Sequence, residues 1–416
     1  MHYQHIKISF SVPLFIKAAA GFLVFSIIPA TAGGQDPSNP STMGQNIDAI
    51  FAPLVAPHSP GVAVLVVKDG KKLFERGYGL RDLHSAAKID SRTNFRLASC
   101  SKQFTAMAIM LLVHDGKLRY DQRLTDIFPD FPAYGRAISI RNLLNHTAGL
   151  QDYETLMEQP GTKGKWTGDH QIQDAEVLTL LKQTDHGIFP SGTQWYYSNS
   201  GNVVLGLIVA KVSGQPFPEF LRQRIFAPLK MDGTVAYMKG KNEITNRAFG
   251  HTKEGDSWKQ TDQSSTSATL GDGGIYSSLE DLAKWDEALG SNKLLSKEEM
   301  QPALTPVTLP TTSVNGDTQP RWPANSDRPE ATPVSYGFGW FLDPYRGHPR
   351  MWHYGETIGF HSYIVRFGAR KPAAASPVND RLASITIIVL CNRTDISPES
   401  LALQIADLLL QTIFEN

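Results

Sequence analysis

Ser99 and Lys102 stand three residues apart at the start of a segment whose apolar spacing predicts a helix with one buried face. The predicted buried stripe consists of Phe104, Met107, Ala108 and Leu111. Gly116 then supplies a left-handed stop. Residues three apart on a helix lie one turn above each other and can share a hydrogen bond. Because an amine beside a hydroxyl can accept its proton, we expect Ser99 to be a nucleophile with Lys102 as its proton acceptor.

Ser99 on its own also fits a simpler role, because serine is a common N-cap at the start of a helix. The spacing is not rare either, since Ser85 and Lys88 repeat it in this chain. That second pair lies in a polar segment without an apolar period, which we interpret as a solvated loop. Other motifs must decide between a cap and a nucleophile.

Tyr197 and Asn199 form the only Tyr-x-Asn in the chain. They follow the turn at Pro190–Thr193 and precede an apolar helical pattern, so we expect both side chains on a loop facing outward. A phenol near a lysine ammonium ionises more easily, so Tyr197 could serve as a proton relay. A structural tyrosine is the alternative.

His353 and Gly355 lie on a predicted strand near the C-terminus and are followed by Glu356. A histidine and a glycine at this spacing are a weak signal alone. The other instance, at His114 and Gly116, is merely the predicted end of a helix.

The elements around these motifs predict one sheet built from both ends of the chain. Residues 44–55 read as an amphipathic helix, and residues 61–67 and 72–77 as strands joined by an Asp69-Gly70 hairpin turn. Further predicted strands are 351–353, 360–367 and 384–390, before a closing helix at 400–414. We therefore expect a partly antiparallel sheet that pairs residues 33–119 with residues 335–416.

The middle of the chain, residues 120–334, reads as a helical subdomain. Amphipathic segments at 173–181, 201–212 and 218–225 precede a break at residues 271–274 and a helix at 279–289 capped by Ser278. Residues 302–333 contain seven prolines and no sustained period. An insert of this length is typical of a functional rim loop or a mobile segment.

Residues 1–32 resemble a secretory signal, with Lys7, an apolar run over 18–28 and a small-residue cleavage site at 30–32. A membrane anchor is the competing interpretation, but Lys17 and Pro29 leave the run short of the roughly 20 residues that a span needs. We expect an exported protein, periplasmic or secreted, without stable membrane insertion after signal removal.

The composition of the chain limits which binding partners and cofactors we expect. The 40 basic and 40 acidic residues balance, which gives no indication of a nucleic-acid partner. Cys100 and Cys391 could form a disulfide, but we favour two buried free thiols, because a crosslink would tie up the position beside Ser99. No His-Glu-x-x-His pattern occurs, and we expect neither a metal nor an organic cofactor.

Taken in order, the segments 99–102, 197–199 and 353–355 resemble the Ser-x-x-Lys, Tyr-x-Asn and Lys/His-x-Gly motifs of the serine β-lactamase and penicillin-binding protein family, in its class C and DD-peptidase branch. Residues 143–150 and 273–278 also resemble segments of that family. The chain lacks the Gly-x-Ser-x-Gly elbow of α/β-hydrolases. The resemblance implies an α/β (α+β) fold, a mainly antiparallel sheet flanked by helices with an inserted all-helical subdomain.

The resemblance also implies roles for the motif residues. Lys102 and Tyr197 would relay the proton from Ser99, and the backbone N–H groups of Ser99 and Glu356 would hold the oxyanion. Asn199 would orient Lys102 and the substrate amide. His353 and Gly355 would form the substrate-binding strand.

Two departures weaken the binding of a substrate carboxylate. His353 stands where β-lactamases have lysine, and an imidazole is largely neutral near pH 7. Ser397 and Ser400 stand where class C enzymes have an asparagine and an arginine. We therefore favour an exported hydrolase of small esters or amides. The alternatives are a peptidoglycan DD-carboxypeptidase or endopeptidase, a true β-lactamase, or a catalytically silent binding protein, and the oligomeric state stays open.

Overall fold

The computed structural model describes residues 40–309, 335–368 and 384–414. The expected signal at 1–32 and most of the proline-rich segment, residues 310–333, lie outside the described residues.

Six described strands form an antiparallel sheet in which the two ends of the chain meet. Their bounds are β1 Val62–Lys68, β2 Lys71–Tyr78, β10 Phe341–Tyr345, β11 His348–Thr357, β12 Phe360–Gly368 and β13 Ser384–Cys391, in the order β10-β11-β12-β13-β1-β2. The register runs from Val62 opposite Cys391 to Lys68 opposite Ile385. The predicted pairing of the N- and C-terminal portions is confirmed.

The shorter strands lie outside this sheet. They are β3 Leu80–Asp82, β4 Ala87–Lys88, β5 Phe95–Arg96, β6 Val235–Ala236, β7 His251–Glu254, β8 Ser257–Gln260 and β9 Ile275–Ser277. The small sheet β5-β9-β6 matters most for function, because β5 leads directly into the Ser99 segment.

The helices cover both faces of the main sheet. Their bounds are α1 Pro40–Phe51, α2 Lys102–His114, α3 Leu124–Ile127, α4 Ile140–Leu144, α5 Tyr153–Met157, α6 Asp174–Lys182, α7 Asn199–Ser213, α8 Phe217–Leu221, α9 Leu279–Gly290, α10 Lys297–Met300 and α11 Pro398–Phe414. None of the described helices is both long and apolar enough to cross a membrane.

Alternating residues of β1 enter two separate hydrophobic cores. Ala63, Leu65 and Val67 pack with α2 and the other central helices. Val62, Val64 and Val66 pack on the opposite face with α1 and α11. A strand that is buried on both faces does not alternate between apolar and polar residues, which is why residues 62–67 form a continuous hydrophobic run.

The helix α2 is buried more completely than its sequence predicts. The predicted stripe is buried, but so are Ala106, Ile109 and Met110 on the other sides of the helix. The expectation of a single buried face is therefore wrong. A helix that is hydrophobic all round lies in the centre of a protein, and α2 lies there between the sheet and α7.

Candidate active site

The 3₁₀ turn Ala98–Ser101 between β5 and α2 holds Ser99 in a half-buried position. The residue before it, Ala98, has φ 48°, a left-handed conformation that a residue with a Cβ adopts at a cost of about 1–3 kcal/mol. The N-cap of α2 is Ser101, and its side chain makes no capping hydrogen bond. Ser99 is therefore not the cap of this helix, and the capping interpretation is wrong.

Lys102 makes three hydrogen bonds through its ammonium nitrogen. Its Nζ lies 3.0 Å from Ser99 Oγ, 2.8 Å from Asn199 Oδ1 and 2.9 Å from the backbone carbonyl oxygen of Asp272. The side chain is 0% exposed. The expected contact between Lys102 and Ser99 is thus present, together with Asn199 from the second motif.

Burial lowers the pKa of Lys102 to about 8, because an ammonium without water is less stable than an amine. The carboxylates of Asp272 and Glu154 act in the opposite direction but do not outweigh burial. Lys102 therefore loses its proton close to neutral pH, as a base for a serine hydroxyl requires.

The Tyr-x-Asn segment does not face outward as expected. Ser198 is the N-cap of α7, with its hydroxyl accepting a hydrogen bond from Gly201 N–H, and Asn199 is the first residue of that helix. The backbone N–H of Ser198 donates to His146 Nδ1 over 3.2 Å. The His146 ring packs 4.6 Å from the Tyr197 ring, so the tyrosine is turned inward.

The phenol of Tyr197 stays neutral. Burial, followed by the effects of Tyr354 and Tyr336, raises its pKa well above the usual value, although the nearby Ser99 hydroxyl lowers it. The Tyr197 oxygen has no hydrogen-bond partner among the described residues. Lys102 Nζ lies over the ring, 4.9 Å from its centroid. The expectation of easier ionisation is therefore wrong, since burial outweighs the adjacent cation.

His353 lies behind the reacting groups, with 0% of its surface exposed. Its Nδ1 lies 2.6 Å from the Tyr354 carbonyl oxygen, to which it can only donate, so Nε2 accepts from the Tyr336 hydroxyl 3.1 Å away. Burial, then the charge of Lys102, lowers the pKa of His353 to about 3. The imidazole is neutral at physiological pH. Because the ring is fully buried, it presents no surface that a substrate could contact.

Gly355 allows β11 to approach the Ser99 turn closely. A Cβ at this position would lie 2.0 Å from the Leu97 carbonyl oxygen and 3.2 Å from Cys100 N. The next residue, Glu356, has an exposed side chain. Among the described pairings, β10 pairs with β11 only as far as Trp352. The backbone of Glu356 therefore has no neighbouring strand on that edge of the described sheet.

Glu154 was not found from the sequence, because α5 carries no recognisable motif. The residue is exposed, but its carboxyl is turned towards Lys102 and Asn199. Partial dehydration, then the carboxylates of Asp152 and Asp272, raises the pKa of Glu154 to about 7. A second group whose pKa is shifted towards neutrality therefore faces Lys102 and Asn199.

The remaining predicted residues have mainly structural positions. Cys100 and Cys391 are buried free thiols, as expected, and the Cys100 thiol donates to the His353 carbonyl oxygen over 3.3 Å. Ser397 and Ser400 lie at the start of α11, where the Ser397 hydroxyl accepts from the Ser400 N–H over 3.2 Å.

Comparison with known proteins gives a family match over most of the chain. The model of the Beta-lactamase family matches residues 47–411. Penicillin-binding protein 4* of Bacillus subtilis (strain 168) is 29% identical over 336 residues, which are 78% of this chain and 69% of that protein.

Two relatives named for D-amino acid substrates are also similar. A D-aminopeptidase of Cereibacter sphaeroides (strain KD131 / KCTC 12085) is 25% identical over 316 residues, 73% of this chain and 53% of the relative. The solved structure of the D-amino acid amidase from Ochrobactrum anthropi SV3 complexed with L-phenylalanine amide superimposes with a TM-score of 0.67 at 25% identity, over 89% of this chain and 98% of that chain.

Proposed function

The chain belongs to the Beta-lactamase family and is a serine hydrolase of that family, and from this premise we propose that it cleaves ester or amide bonds of small substrates through an acyl-enzyme on Ser99. The observation that carries the proposal is the hydrogen bonding of Lys102. Its amine lies within 3.0 Å of the Ser99 hydroxyl, and its pKa is about 8.

The neighbours of Lys102 orient its lone pair. Asn199 Oδ1 and the Asp272 carbonyl oxygen can only accept hydrogen bonds, so they hold two N–H groups of the neutral amine. The third position, occupied by the lone pair, then points at Ser99 Oγ. In this arrangement Lys102 takes the hydroxyl proton while Oγ forms a bond to the substrate carbonyl carbon.

The tetrahedral intermediate needs a donor for its oxyanion and a proton for its leaving group. The backbone N–H groups of Ser99 and Glu356 are the candidate oxyanion donors. Tyr197 keeps its proton, so its O–H is suited to protonate the departing oxygen or nitrogen, and the Lys102 ammonium then passes the proton taken from Ser99 to the Tyr197 oxygen. A water molecule then attacks the acyl carbon and gives its proton to Lys102, which returns a proton to Ser99 Oγ as the acyl group leaves.

A second candidate function is the hydrolysis of peptides or amides of D-amino acids, as a DD-carboxypeptidase, endopeptidase or aminopeptidase. The similarity to a penicillin-binding protein and a D-aminopeptidase favours it. A class C-type β-lactamase is less well supported, because the buried neutral His353 cannot supply the cation that a substrate carboxylate needs.

One panel of substrates tests these functions. Purified protein is assayed with short-chain aryl esters, a D-amino acid amide, a peptide ending in D-Ala-D-Ala and a chromogenic cephalosporin, each beside the Ser99→Ala variant. We expect turnover of the esters or the amide that depends on Ser99 and little turnover of the cephalosporin. Cephalosporin turnover above that of every other substrate would reverse the order of the candidates.

Export also remains part of the proposal. Its support is the signal-like pattern of residues 1–32. Expression in a bacterial host, followed by N-terminal sequencing of the extracytoplasmic protein, is expected to give a mature chain that begins at Gly33. An intact N-terminus in the cytoplasmic fraction would contradict export.

A further inference from the structure

Residues 143–150 resemble a segment of the family and contain no group that the proposed reaction uses. The structure places His146 of this segment beside Tyr197, with 1% of its surface exposed. The two ring centroids lie 4.6 Å apart, whereas the rings of Phe341 and Tyr354 lie 6.3 and 6.4 Å from that of Tyr197. The imidazole therefore packs more closely on the tyrosine than these two stacked rings do.

His146 also holds the backbone on both sides of Tyr197. The N–H of Tyr196 donates to the His146 carbonyl oxygen over 3.0 Å. The N–H of Ser198 donates to His146 Nδ1 over 3.2 Å. One residue thus binds the peptide groups before and after the tyrosine and packs on its ring.

The segment around His146 is itself firmly held. His146 has φ 62°, a left-handed conformation that a residue with a Cβ keeps only where its surroundings hold it. The next residue, Thr147, donates its N–H to the Asn142 carbonyl oxygen over 2.9 Å, and its carbonyl oxygen accepts from Gly192 N–H over 2.8 Å. Asn142 belongs to α4. His146 therefore ties the position of Tyr197 to a helix.

The Tyr197 hydroxyl depends on this support because no hydrogen bond of its own fixes it. Its oxygen has no hydrogen-bond partner among the described residues. The position of the oxygen is therefore set by the backbone and the ring of the tyrosine. In the proposed reaction this O–H protonates the leaving group and its oxygen then takes a proton from Lys102. A small displacement would slow both transfers.

The imidazole can hold Ser198 in only one protonation state. Because Nδ1 accepts from the Ser198 N–H, the proton of the neutral ring is on Nε2. Burial, followed by the effects of Lys102 and His353, lowers the pKa of His146 well below its usual value. Nδ1 therefore remains an acceptor at physiological pH.

We propose that His146 is a positioning residue that sets the place of the Tyr197 hydroxyl beside Ser99 and acts on the reaction only through Tyr197. The inference deepens the proposed function and rests on it. Its consequence is that the effect of changing His146 disappears when the phenol is absent.

Stopped-flow acylation by an aryl ester tests this role in a double-mutant cycle. His146→Phe keeps a buried ring but removes the Nδ1 acceptor. We expect the acylation rate at saturating ester to fall by roughly tenfold, with the half-saturating concentration changed by less than about twofold, because a misplaced group slows the chemical step. In a Tyr197→Phe background, His146→Phe should cause a further loss of less than about twofold, since residues that act as a unit are not additive.

His146→Asn is the rescue variant. Its side-chain oxygen can accept a hydrogen bond close to the position of Nδ1, and asparagine tolerates a left-handed backbone. Its acylation rate should lie closer to wild type than that of His146→Phe, even where its melting temperature is lower. His348→Asn is the control, because His348 is also buried, at 2% exposure, but begins β11 at the end far from Gly355. It should leave the acylation rate unchanged.

Nitrogen-15 NMR of the histidine rings tests the geometry without catalysis. The His146 ring is assigned by its absence from His146→Phe or His146→Asn. It should be the neutral Nε2–H tautomer and should not titrate between about pH 5 and 8, unlike an ordinary imidazole. A proton on Nδ1, or titration in this range, would overturn the hydrogen bond to Ser198 and the proposal with it.

Three kinetic results would also overturn the positioning role. They are losses that add fully to those of Tyr197→Phe, a near wild-type rate for His146→Phe, and equal rates for His146→Phe and His146→Asn. Failure of the proposed function gives a different result. A wild-type protein that hydrolyses no ester or amide would contradict the acyl-enzyme on Ser99, whereas an active protein with additive losses would overturn the positioning role alone.

Discussion

The two sides of β11 differ in burial and in the charged side chains that line them. On the side of the Ser99 turn, Lys102 and His353 are fully buried and their nitrogen atoms are hydrogen-bonded. On the side of α11, the same strand borders a cavity of about 300 Å³ lined by carboxylates. We infer that the reacting groups lie on the buried side, where hydrogen bonds fix the positions of Lys102 and Ser99.

The largest expected effect comes from Lys102→Arg, which keeps the charge on the buried side but removes the base. An arginine stays protonated at all accessible pH values. We expect the acylation rate, measured by stopped-flow with an aryl ester, to fall by roughly 10²–10⁴-fold. Lys88→Arg is the matched control, because Ser85 and Lys88 share the spacing but lie exposed around β3 and β4. A near wild-type acylation rate for Lys102→Arg would show that a positive charge at this position is enough for acylation and that Lys102 is not the base.

The next effect comes from Tyr197→Phe, which removes a buried hydroxyl that has no hydrogen-bond partner in the part of the chain that the structure describes. Its loss should leave the unfolding free energy within about 1 kcal/mol of wild type. Acylation should fall by roughly a hundredfold if the phenol moves a proton. If Lys102 and Tyr197 act as one unit, Lys102→Ala with Tyr197→Phe should lose little more than the worse single variant. Fully additive losses would give one of them a structural role only.

A smaller change is expected in the pH dependence. Lys102 must lose its proton to act as a base, so kcat/KM should rise with pH through about 8. The carboxylate of Asp272 favours the charged amine and raises the pKa of Lys102. Asp272→Asn should therefore move the rise towards lower pH, by roughly one unit for the loss of a nearby opposite charge. A shift towards higher pH would contradict this assignment, and Glu298→Gln should give no shift.

The smallest effect is expected from His353→Gln, which tests whether the buried imidazole takes part in the reaction. The imidazole is neutral above about pH 3 and hydrogen-bonded to Tyr336 and to the Tyr354 backbone. The variant should change the turnover of an aryl ester by less than roughly tenfold. A larger loss of turnover in a folded variant would give His353 a direct part in the reaction.

Local chemistry predicted much of the fold. Asp69 and Gly70 have φ 51° and 73°, as the hairpin turn requires, and Ser278 accepts a capping hydrogen bond from Asp281 N–H. The edge strand β10 was missed because Pro344 argues against a strand, although an edge position tolerates proline. The β7–β8 hairpin was missed because most of its residues are polar and exposed.

The sequence predicted most of the residues that form the site but not their protonation states. The order of the motifs indicated Ser99, Lys102 and Asn199, which the structure brings together. The protonation state of Tyr197 could not be predicted from its proximity to Lys102. Its pKa is set mainly by burial among residues that are distant in the sequence. Glu154 reaches the same site from a helix without any sequence signature.

The mass of the intact protein after brief exposure to a fluorophosphonate or a penicillin tests directly for an acyl-enzyme on Ser99. We expect a single adduct that peptide mapping assigns to Ser99, no adduct on Ser99→Ala, and full labelling of Ser85→Ala. An adduct of the same stoichiometry on Ser99→Ala, or mapping to another residue of wild type, would contradict a Ser99 acyl-enzyme.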